Sequence, residues 1–255
     1  MKLLVALRVG WRMLALAVWT LSLFSLRLVS KMLGLYSLSL DQRTTRRLLY
    51  RWAGGVARIV NMKLEVRGTP PSPPFYLVTN HLSYIDVLLL ARTAGCVYVS
   101  RADVEQWPVV GFIARMMNTC FIDRARVRDT KRVNDLIAGL LDKGYGVHMF
   151  AESKIAQDAQ IHPFKPPLLE PAVQKGCAVH YAAISYSTPV GSPRAADVII
   201  WKDGVSFMGN MINVLGLPGF SAVISFGDKP IQGDDRKELA DKLYRAVLER
   251  FTPVG

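Results

Sequence analysis

His81 and Asp86 stand five positions apart in the segment NHLSYIDVLLL, residues 80–90 of a chain with only four histidines. A carboxylate bonded to one imidazole nitrogen fixes the tautomer of the ring and leaves the other nitrogen free to act as a base. The carboxylate also stabilises the imidazolium that forms when the base accepts a proton. The pair could therefore remove the proton from an alcohol, although a capping Asp beside a structural His would show the same spacing.

The two side chains can meet only if the backbone changes direction between them. On one continuous α-helix, residues five apart lie about 140° apart around the axis, and their side chains would not touch. Residues 75–79 (FYLVT) are typical of a buried strand, and residues 85–91 (IDVLLLA) are typical of a helix. We therefore predict that His81 lies in the loop at the carboxyl end of the strand, where Asn80 helps to satisfy the turn backbone. Asp86 is predicted in the first turns of the helix.

Other kinds of chemistry find less support in the sequence. The three cysteines are widely spaced and form no CxxC pair, so neither a zinc site nor a disulfide framework is predicted. No GxSxG nucleophile elbow, no GxxxxGK[ST] phosphate loop and no complete dinucleotide fingerprint occurs. His148 and His180 lie in apolar runs and are predicted to be buried structural residues. We expect no metal ion and no cofactor.

The first quarter of the chain is both basic and apolar. Residues 1–62 carry ten Lys or Arg and one Asp, which gives +9 of the total net charge of +12. Residues 13–26 carry no charge, but this run is shorter than the roughly 20 residues that cross a bilayer as a straight helix. Basic charge combined with Leu, Val and Trp favours a membrane surface over a nucleic acid as the partner.

We therefore predict that residues 1–67 form membrane-anchoring helices, arranged as a helical hairpin in one leaflet with the basic side toward the lipid headgroups. A single transmembrane span stays open as an alternative, because Arg27 and Lys31 could snorkel to the interface. A signal peptide is disfavoured, because the apolar run is followed by a second basic amphipathic stretch and by no small-x-small cleavage site.

A proline-rich segment, residues 68–74, separates these helices from a region of alternating strand and helix patterns. Helices are predicted over residues 130–143, with Asp129 as N-cap, and over residues 235–251. The strand candidates are mostly continuous apolar runs, at residues 75–79, 96–100, 119–122, 146–150, 178–184, 197–201 and 222–226. The pattern predicts an α/β fold with a mixed, largely parallel sheet flanked by helices.

A resemblance to a known family lies in four segments. The sequence is similar, in order and spacing, to the four blocks of the glycerolipid acyltransferases related to 1-acyl-glycerol-3-phosphate acyltransferase, at residues 80–86, 111–124, 149–169 and 178–184. This resemblance implies that residues 68–255 form an acyltransferase domain. It also implies that His81 and Asp86 are the catalytic residues.

The resemblance further implies which residues bind the acceptor. Arg124 matches an arginine associated with the acceptor's phosphate, and Glu152 matches the glutamate of the third block. That block usually reads Phe-Pro-Glu-Gly-Thr-Arg, whereas this sequence reads Phe-Ala-Glu-Ser-Lys-Ile and has Ile155 in place of the arginine. Lys154 or Arg124 would then compensate for the missing guanidinium. The predicted substrate-binding residues are Asn80, Arg124, Glu152 and Lys154.

By this resemblance, the protein is expected to be a membrane-associated O-acyltransferase on the cytoplasmic face of the inner or plasma membrane. It would move a fatty acyl chain from acyl-CoA or acyl-carrier protein to the free hydroxyl of a lysolipid, and the first expectation is conversion of 1-acyl-glycerol-3-phosphate to phosphatidate. Residues 101–116 and 163–172 also resemble the enzymes that add the second acyl chain to lyso-ornithine lipid, which is the alternative. A non-catalytic lipid-binding membrane protein is a third hypothesis, and no nucleic-acid partner is expected.

Overall fold

The computed structural model describes residues 2–32, 38–107, 110–116, 118–123 and 125–254. Within these ranges the strands are β1 (Met62–Arg67), β2 (Phe75–Thr79), β3 (Val97–Arg101), β4 (Cys120–Ile122), β5 (Gly146–Phe150), β6 (Val179–Ser187) and β7 (Phe220–Phe226). The helices are α1 (Lys2–Met32), α2 (Leu38–Ile59), α3 (Asp86–Thr93), α4 (Val110–Met116), α5 (Val127–Asp142), α6 (Glu170–Gln174), α7 (Ala195–Val198), α8 (Phe207–Gly216) and α9 (Arg236–Arg250). Short 3₁₀ turns lie at Ala102–Gln106 and Pro166–Leu169.

The sheet is mixed and largely parallel, as the sequence predicts. Its strand order is β1-β7-β6-β2-β5-β3-β4, and each neighbouring pair is parallel except β6 and β7. The last residues of β2 and β5, Thr79 and Phe150, are partners in the register. Since β2, β5, β3 and β4 run side by side in one direction, the loops that follow them meet at one edge, the usual ligand edge of such sheets.

Helices cover both faces of the sheet. One buried cluster joins Leu77 of β2 to Leu89 of α3 and to the inner side of α2. The other cluster joins Val78 of β2 to Ile137 of α5 and Leu243 of α9. Neighbouring residues of a strand point to opposite faces, so a strand that contributes to both clusters must be apolar throughout. This requirement explains the continuous apolar runs of the sequence.

One predicted strand is not part of the sheet. Residues 197–201 form the end of α7 and the loop that follows it. Ile199 and Ile200 are buried, which explains the strand-like apolar run. The side-chain amide of Asn210 in α8 donates to the carbonyls of Val198 and Ile200 at 3.2 and 3.3 Å, so this backbone is satisfied without strand pairing. A short buried run does not distinguish a strand from a helix by periodicity alone.

A strand that the sequence analysis does not predict forms one margin of the sheet. β1 pairs in parallel with β7 along its whole length. Lys63, Glu65 and Arg67 alternate with apolar residues, and charged side chains of this kind suit an edge strand. Residues 62–67, which the sequence analysis places with the membrane-anchoring helices, are therefore part of the sheet. The division of the chain near residue 67 into an anchor and an acyltransferase domain stays a prediction.

α1 and α2 pack against each other. Trp19 Nε1 donates to the carbonyl of Trp52 at 3.1 Å, and Trp52 Nε1 donates to Thr20 Oγ1 at 3.1 Å. Among the described residues, one helix segment, Lys2–Val29 of α1, is long and apolar enough to cross a membrane by length and composition. Its outward side is apolar, with exposed residues Leu3, Leu7, Trp11, Leu14, Val18, Leu21 and Leu28.

Two arginines of α1 face the protein. Arg12 is 4% exposed and donates to the carbonyls of Leu215 and Leu217 at 2.9 and 2.6 Å, at the end of α8. Arg8 donates to the carbonyl of Gly216 at 2.8 Å. Carbonyl groups at a helix C-terminus lack intrahelical donors and carry partial negative charge, so guanidinium groups stabilise them. The predicted orientation of the basic side toward lipid headgroups does not hold for these two residues.

Candidate active site

His81 and Asp86 meet at the carboxyl edge of the sheet. β2 ends at Thr79, two residues before His81, and α3 begins at Asp86. His81 Nδ1 lies 2.8 Å from Asp86 Oδ2, and the His81 side chain is 17% exposed while Asp86 is fully buried. The structure therefore contains the change of backbone direction that the five-residue spacing requires. Because Asp86 occupies Nδ1, the nitrogen left to accept a proton is Nε2.

The carboxylate of Asp86 is held at both of its oxygens. Oδ2 also accepts the main-chain N–H groups of Leu82 and Ser83 at 2.8 and 3.0 Å. Oδ1 accepts the hydroxyl of Tyr186, on β6, at 2.5 Å. Burial, together with the charge of Asp86, holds the pKa of Tyr186 well above its ordinary value, so the hydroxyl stays a donor. These hydrogen bonds stabilise a charge that would otherwise be costly in a buried position.

The ring of His81 lies flat on the ring of Phe150, the last residue of β5. Their centroids are 3.6 Å apart and their planes differ by 13°. Phe150 also packs at nearly a right angle against His148, with ring centroids 4.6 Å apart. His148 is fully buried, and burial, followed by the charge of His81, holds its pKa well below its ordinary value. His148 is therefore a neutral residue of the interior. The face of the Phe150 ring is available to an imidazolium at His81.

Glu152 follows β5 and joins two loops. Its carboxylate is buried, with Oε1 accepting the main-chain N–H of His81 at 2.8 Å and Oε2 accepting that of His162 at 2.8 Å. Burial raises the pKa of Glu152 to about 7. The sequence analysis predicts Glu152 as a substrate-binding residue, whereas in the structure both of its oxygens are engaged by the main chain. Its observed contacts position the backbone of His81.

The other predicted substrate-binding residues differ in their surroundings. Asn80 is fully buried and forms two hydrogen bonds with the main chain of Ile184, at 2.9 and 2.7 Å, so its amide holds the end of β2 to β6. Lys154 is exposed and forms no ion pair among the residues that the structure describes. Arg124 lies outside the described residues. Within the described part of the chain, no group of three or more His, Cys, Asp or Glu side chains is placed to hold a metal ion.

Comparison with known proteins adds to this geometry. Residues 63–185 match the acyltransferase family model. The chain is 31% identical over 209 residues to a lyso-ornithine lipid O-acyltransferase of Pseudomonas aeruginosa, and the match covers 82% of this chain and 78% of the relative. The chain belongs to the lysolipid acyltransferase family. The contact of His81 with a buried carboxylate, together with this family match, makes the carboxyl edge of the sheet the candidate active site of the acyltransferase.

Two further matches support the family and the fold. A 1-acyl-sn-glycerol-3-phosphate acyltransferase of Neisseria meningitidis is 29% identical to the acyltransferase over 150 residues, which is 56% of this chain and 59% of the relative. The crystal structure of the 1-acyl-sn-glycerophosphate acyltransferase of Thermotoga maritima superposes with a TM-score of 0.70 over 97% of this chain and 96% of that one. The identity in that superposition is 17%, so it bears on the fold alone.

Beyond β3 and β4, the carboxyl edge of the acyltransferase carries three ion pairs, which we call the charged margin. The pairs are Arg101–Asp103, Arg126–Asp123 and Arg132–Asp129, at 2.9, 3.1 and 2.5 Å. Asp129 is predicted as the N-cap of a helix, but α5 begins at Val127 with Arg126 as its N-cap. In the first turn of α5, Asp129 accepts the main-chain N–H of Asp123 at 2.6 Å, and its hydrogen bond with Arg132 lowers its pKa.

An aromatic cluster adjoins the loop of the acyltransferase that carries His81. Tyr84 lies between His81 and Asp86 in the sequence, and its ring contacts Phe207 and Trp201 with centroids 4.9 and 6.2 Å apart. Trp107 contacts Trp201 and Phe207 in turn, at 5.5 and 5.9 Å. The sequence analysis misses this cluster because its members come from three distant segments. It misses Tyr186 for the same reason, since no local pattern relates a tyrosine in a strand to a carboxylate 100 positions earlier.

Proposed function

We propose that the protein is a membrane-associated O-acyltransferase in which His81 is the general base. It transfers a fatty acyl chain from a thioester donor, acyl-CoA or acyl-carrier protein, to the free hydroxyl of a lysolipid. The observation that carries this proposal is the 2.8 Å contact between His81 Nδ1 and the buried carboxylate of Asp86. In a member of the lysolipid acyltransferase family, this contact supplies the base that acyl transfer to an alcohol needs.

The proposed reaction needs one proton acceptor and no covalent enzyme intermediate. His81 Nε2 removes the proton of the lysolipid hydroxyl as the hydroxyl oxygen attacks the thioester carbonyl. The carbon–sulfur bond then breaks, and the imidazolium returns the proton to the leaving thiolate. Between these steps Asp86 stabilises the imidazolium as an ion pair, and the face of Phe150 adds a cation–π contact. The aromatic cluster beside the loop is the proposed contact for the acyl chain.

Lyso-ornithine lipid is the acceptor that we favour. A phosphate monoester prefers bidentate guanidinium partners, yet the third block has Ile155 where the family has its arginine. Arg101 and Arg126 of the charged margin are each paired with a carboxylate, which each would have to leave to bind phosphate. An ornithine headgroup carries a carboxylate and an ammonium group, and paired Arg and Asp side chains complement both.

1-Acyl-glycerol-3-phosphate is the second candidate acceptor. Lys154 favours it, because this exposed cation has no ion pair among the described residues and could bind a phosphate.

The N-terminal helices are proposed to hold the enzyme in the cytoplasmic leaflet of the membrane. Both thioester donors would reach it from the cytoplasm. The apolar outward side of α1 would enter the lipid, while Arg8 and Arg12 keep the first half of this helix on α8. A helix attached along the globular part in this way favours the predicted hairpin in one leaflet. A transmembrane α1 would instead have to take these arginines away from the α8 carbonyls and into hydrocarbon.

The proposal is tested with purified His81→Ala in mixed micelles, using a labelled acyl donor and either lyso-ornithine lipid or lysophosphatidate. General-base catalysis typically contributes about 10²–10⁴-fold, so turnover with the preferred acceptor should fall by that factor. Wild-type enzyme should convert lyso-ornithine lipid with the higher kcat/KM.

His162→Ala is the matched control. His162 also pairs with an aspartate, Asp158 at 2.9 Å, but that pair is exposed, and the substitution leaves the His162 main-chain N–H for Glu152. Its turnover should stay close to that of the wild type. If His81→Ala retained full turnover, His81 would not be the base. If the wild type and His81→Ala both bound lipid and neither showed turnover, a non-catalytic lipid-binding function would be supported instead.

A further inference from the structure

Tyr186 is the donor to Asp86 that comes from outside the catalytic loop. Oδ2 of Asp86 is bonded by groups of the loop itself, namely the His81 ring and the main-chain N–H groups of Leu82 and Ser83. Oδ1 accepts the Tyr186 hydroxyl at 2.5 Å, across 100 positions of sequence. The two side chains are buried, and the ring of Tyr186 packs against Phe220 of β7 with centroids 6.3 Å apart. The sheet therefore fixes the orientation of the carboxylate.

Both oxygens of Asp86 matter because the residue is fully buried. A buried carboxylate keeps its charge only if hydrogen-bond donors replace the lost water. Without the Tyr186 hydroxyl, Oδ1 would have no donor that the described residues supply. The carboxyl group would then lose a contact that holds its charge and its orientation, and it could turn away from the ring of His81.

We propose that Tyr186 is a positioning residue that keeps Asp86 ionised and aligned, and through Asp86 keeps His81 in the form that accepts a proton. The inference rests on the proposed function, because it assigns Tyr186 a part in the same proton transfer. It goes beyond the catalytic pair that the family resemblance implies, His81 and Asp86, because it adds a residue of β6. Tyr186 does not touch the substrate in this account.

Titratable groups from three elements contact or face His81 and Asp86. In the catalytic loop they are His81 and Tyr84, and on β6 the group is Tyr186. Glu152, after β5, is bonded to the His81 main chain and faces the charge of Asp86, and His148 of β5 faces the charge of His81. Replacing Tyr186 by Phe leaves all of these groups except its own hydroxyl, so a change in the pH profile can be assigned to the lost donor.

The experiment measures kcat and KM against pH for wild type and Tyr186→Phe, with lyso-ornithine lipid and lysophosphatidate as acceptors. Loss of a hydrogen bond to a charged group should lower the plateau kcat about 10- to 100-fold, with KM unchanged. The acid limb of the profile of kcat against pH should move to higher pH, because the lost hydroxyl would no longer stabilise the charge of Asp86 beside His81.

Tyr76→Phe is the matched control. Tyr76 is likewise buried, and its hydroxyl donates to the carbonyl of Leu168 at 2.5 Å, but it lies in the cluster on the other face of the sheet. Its loss should lower the melting temperature without moving the acid limb. If Tyr186→Phe does not fold, fluorotyrosine at position 186 keeps the shape and strengthens the donor, and the acid limb should then move to lower pH.

The outcomes separate this inference from the proposed function. An inactive His81→Ala together with an unshifted acid limb and an unchanged kcat in Tyr186→Phe would overturn the positioning role and leave the base in place. An unshifted acid limb for fluorotyrosine would overturn it as well. Full activity of His81→Ala would overturn the proposed base and this inference together.

Discussion

At the carboxyl edge of the sheet, the carboxylates of Asp86 and Glu152, which follow β2 and β5, are buried and hydrogen-bonded to main-chain groups. The charged margin after β3 and β4 instead consists of ion pairs whose side chains are 19–79% exposed. Asp86 is fully buried, but the side chains of Arg126 and Asp123 are 79% and 41% exposed. Exposed ion pairs contribute about 0–1 kcal/mol each, while breaking a buried charge network costs several times more. The two parts of the edge therefore differ in how readily they can change.

This difference matches two different tasks. Proton transfer needs one arrangement of His81 and Asp86, and a fixed carboxylate provides it. Acceptor selection needs charges that suit one headgroup, and exposed pairs can be exchanged without unfolding the sheet. We infer that the buried part of the edge determines the chemistry and that the charged margin determines which headgroup is accepted.

The largest expected effect comes from the buried part. Asp86→Asn should lower kcat about 10³–10⁴-fold, because an amide does not stabilise the imidazolium and can favour the wrong tautomer of His81. The melting temperature should also fall, since an amide keeps one acceptor oxygen and its NH₂ group would face either the main-chain N–H groups of Leu82 and Ser83 or the hydroxyl of Tyr186. Steady-state kinetics in mixed micelles and thermal unfolding measure the two effects.

Asp158→Asn serves as the control for Asp86→Asn. Asp158 also pairs with a histidine, but it is 54% exposed, so both kcat and melting temperature should stay near those of the wild type. Equal losses in the two variants would mean that burial of the pair has no bearing on catalysis, and the contrast between the two parts of the edge would be lost.

A second effect of burial concerns stability against pH at Glu152. Burial raises the pKa of Glu152 to about 7 from an ordinary value of 4.5, so the folded protein holds this proton more tightly than the unfolded chain does. The contribution of Glu152 is thus fully present below pH 4.5 and is lost as the pH rises through about 7. Relative to Glu152→Gln, the free energy of unfolding of the wild type should fall by up to about 3 kcal/mol across this range.

Chemical denaturation at several pH values measures this dependence. Glu65→Gln is the control, because Glu65 on β1 is 58% exposed and should show no comparable slope. His148 acts in the opposite direction: its pKa is lowered by burial, so its contribution is present above its ordinary value and is lost as the pH falls. Taking the difference between wild type and the Glu152 variant at each pH removes the His148 contribution. A flat difference would show that the pKa of Glu152 is the same in the folded and the unfolded protein.

The parts of the site that sequence reasoning finds are those determined by local geometry. A strand, a loop and a helix start within twelve residues dictate that His81 and Asp86 meet, and the structure has that turn. Contacts made across the sheet leave no local pattern, so Tyr186 as donor to Asp86 and Phe150 as the surface under His81 appear only in the structure. The same limit applies to Glu152, whose partners are main-chain groups of two loops.

The errors in the fold have a related cause. A continuous apolar run predicts the strands buried on both faces, and those are present in the sheet. β1 lies at the margin and alternates charged with apolar residues, so the same rule misses it. Residues 197–201 satisfy the rule but are buried as a helix end and loop held by Asn210. Apolar content reports burial, and it does not by itself report hydrogen-bonding partners.

The smallest expected effect lies in the charged margin and concerns specificity. Asp103→Asn together with Asp123→Asn would release Arg101 and Arg126 from their carboxylates. Free guanidinium groups bind phosphate well, so the KM for lysophosphatidate should fall and that for lyso-ornithine lipid should rise. Since each exposed pair contributes at most about 1 kcal/mol, each KM should change only about two- to fivefold, with kcat unaltered.

Asp142→Asn controls for the loss of one aspartate charge, half of the change in the double variant, because Asp142 forms an exposed pair with Lys175 at the end of α5 and away from the carboxyl edge. It should leave the ratio of the two KM values as in the wild type. If the double variant also left that ratio unchanged, the charged margin would not contact the headgroup, and selection would lie elsewhere along the edge. A fall in kcat with the ratio constant would instead mean that the ion pairs support the buried His81–Asp86 arrangement, which would remove the separation between chemistry and selection.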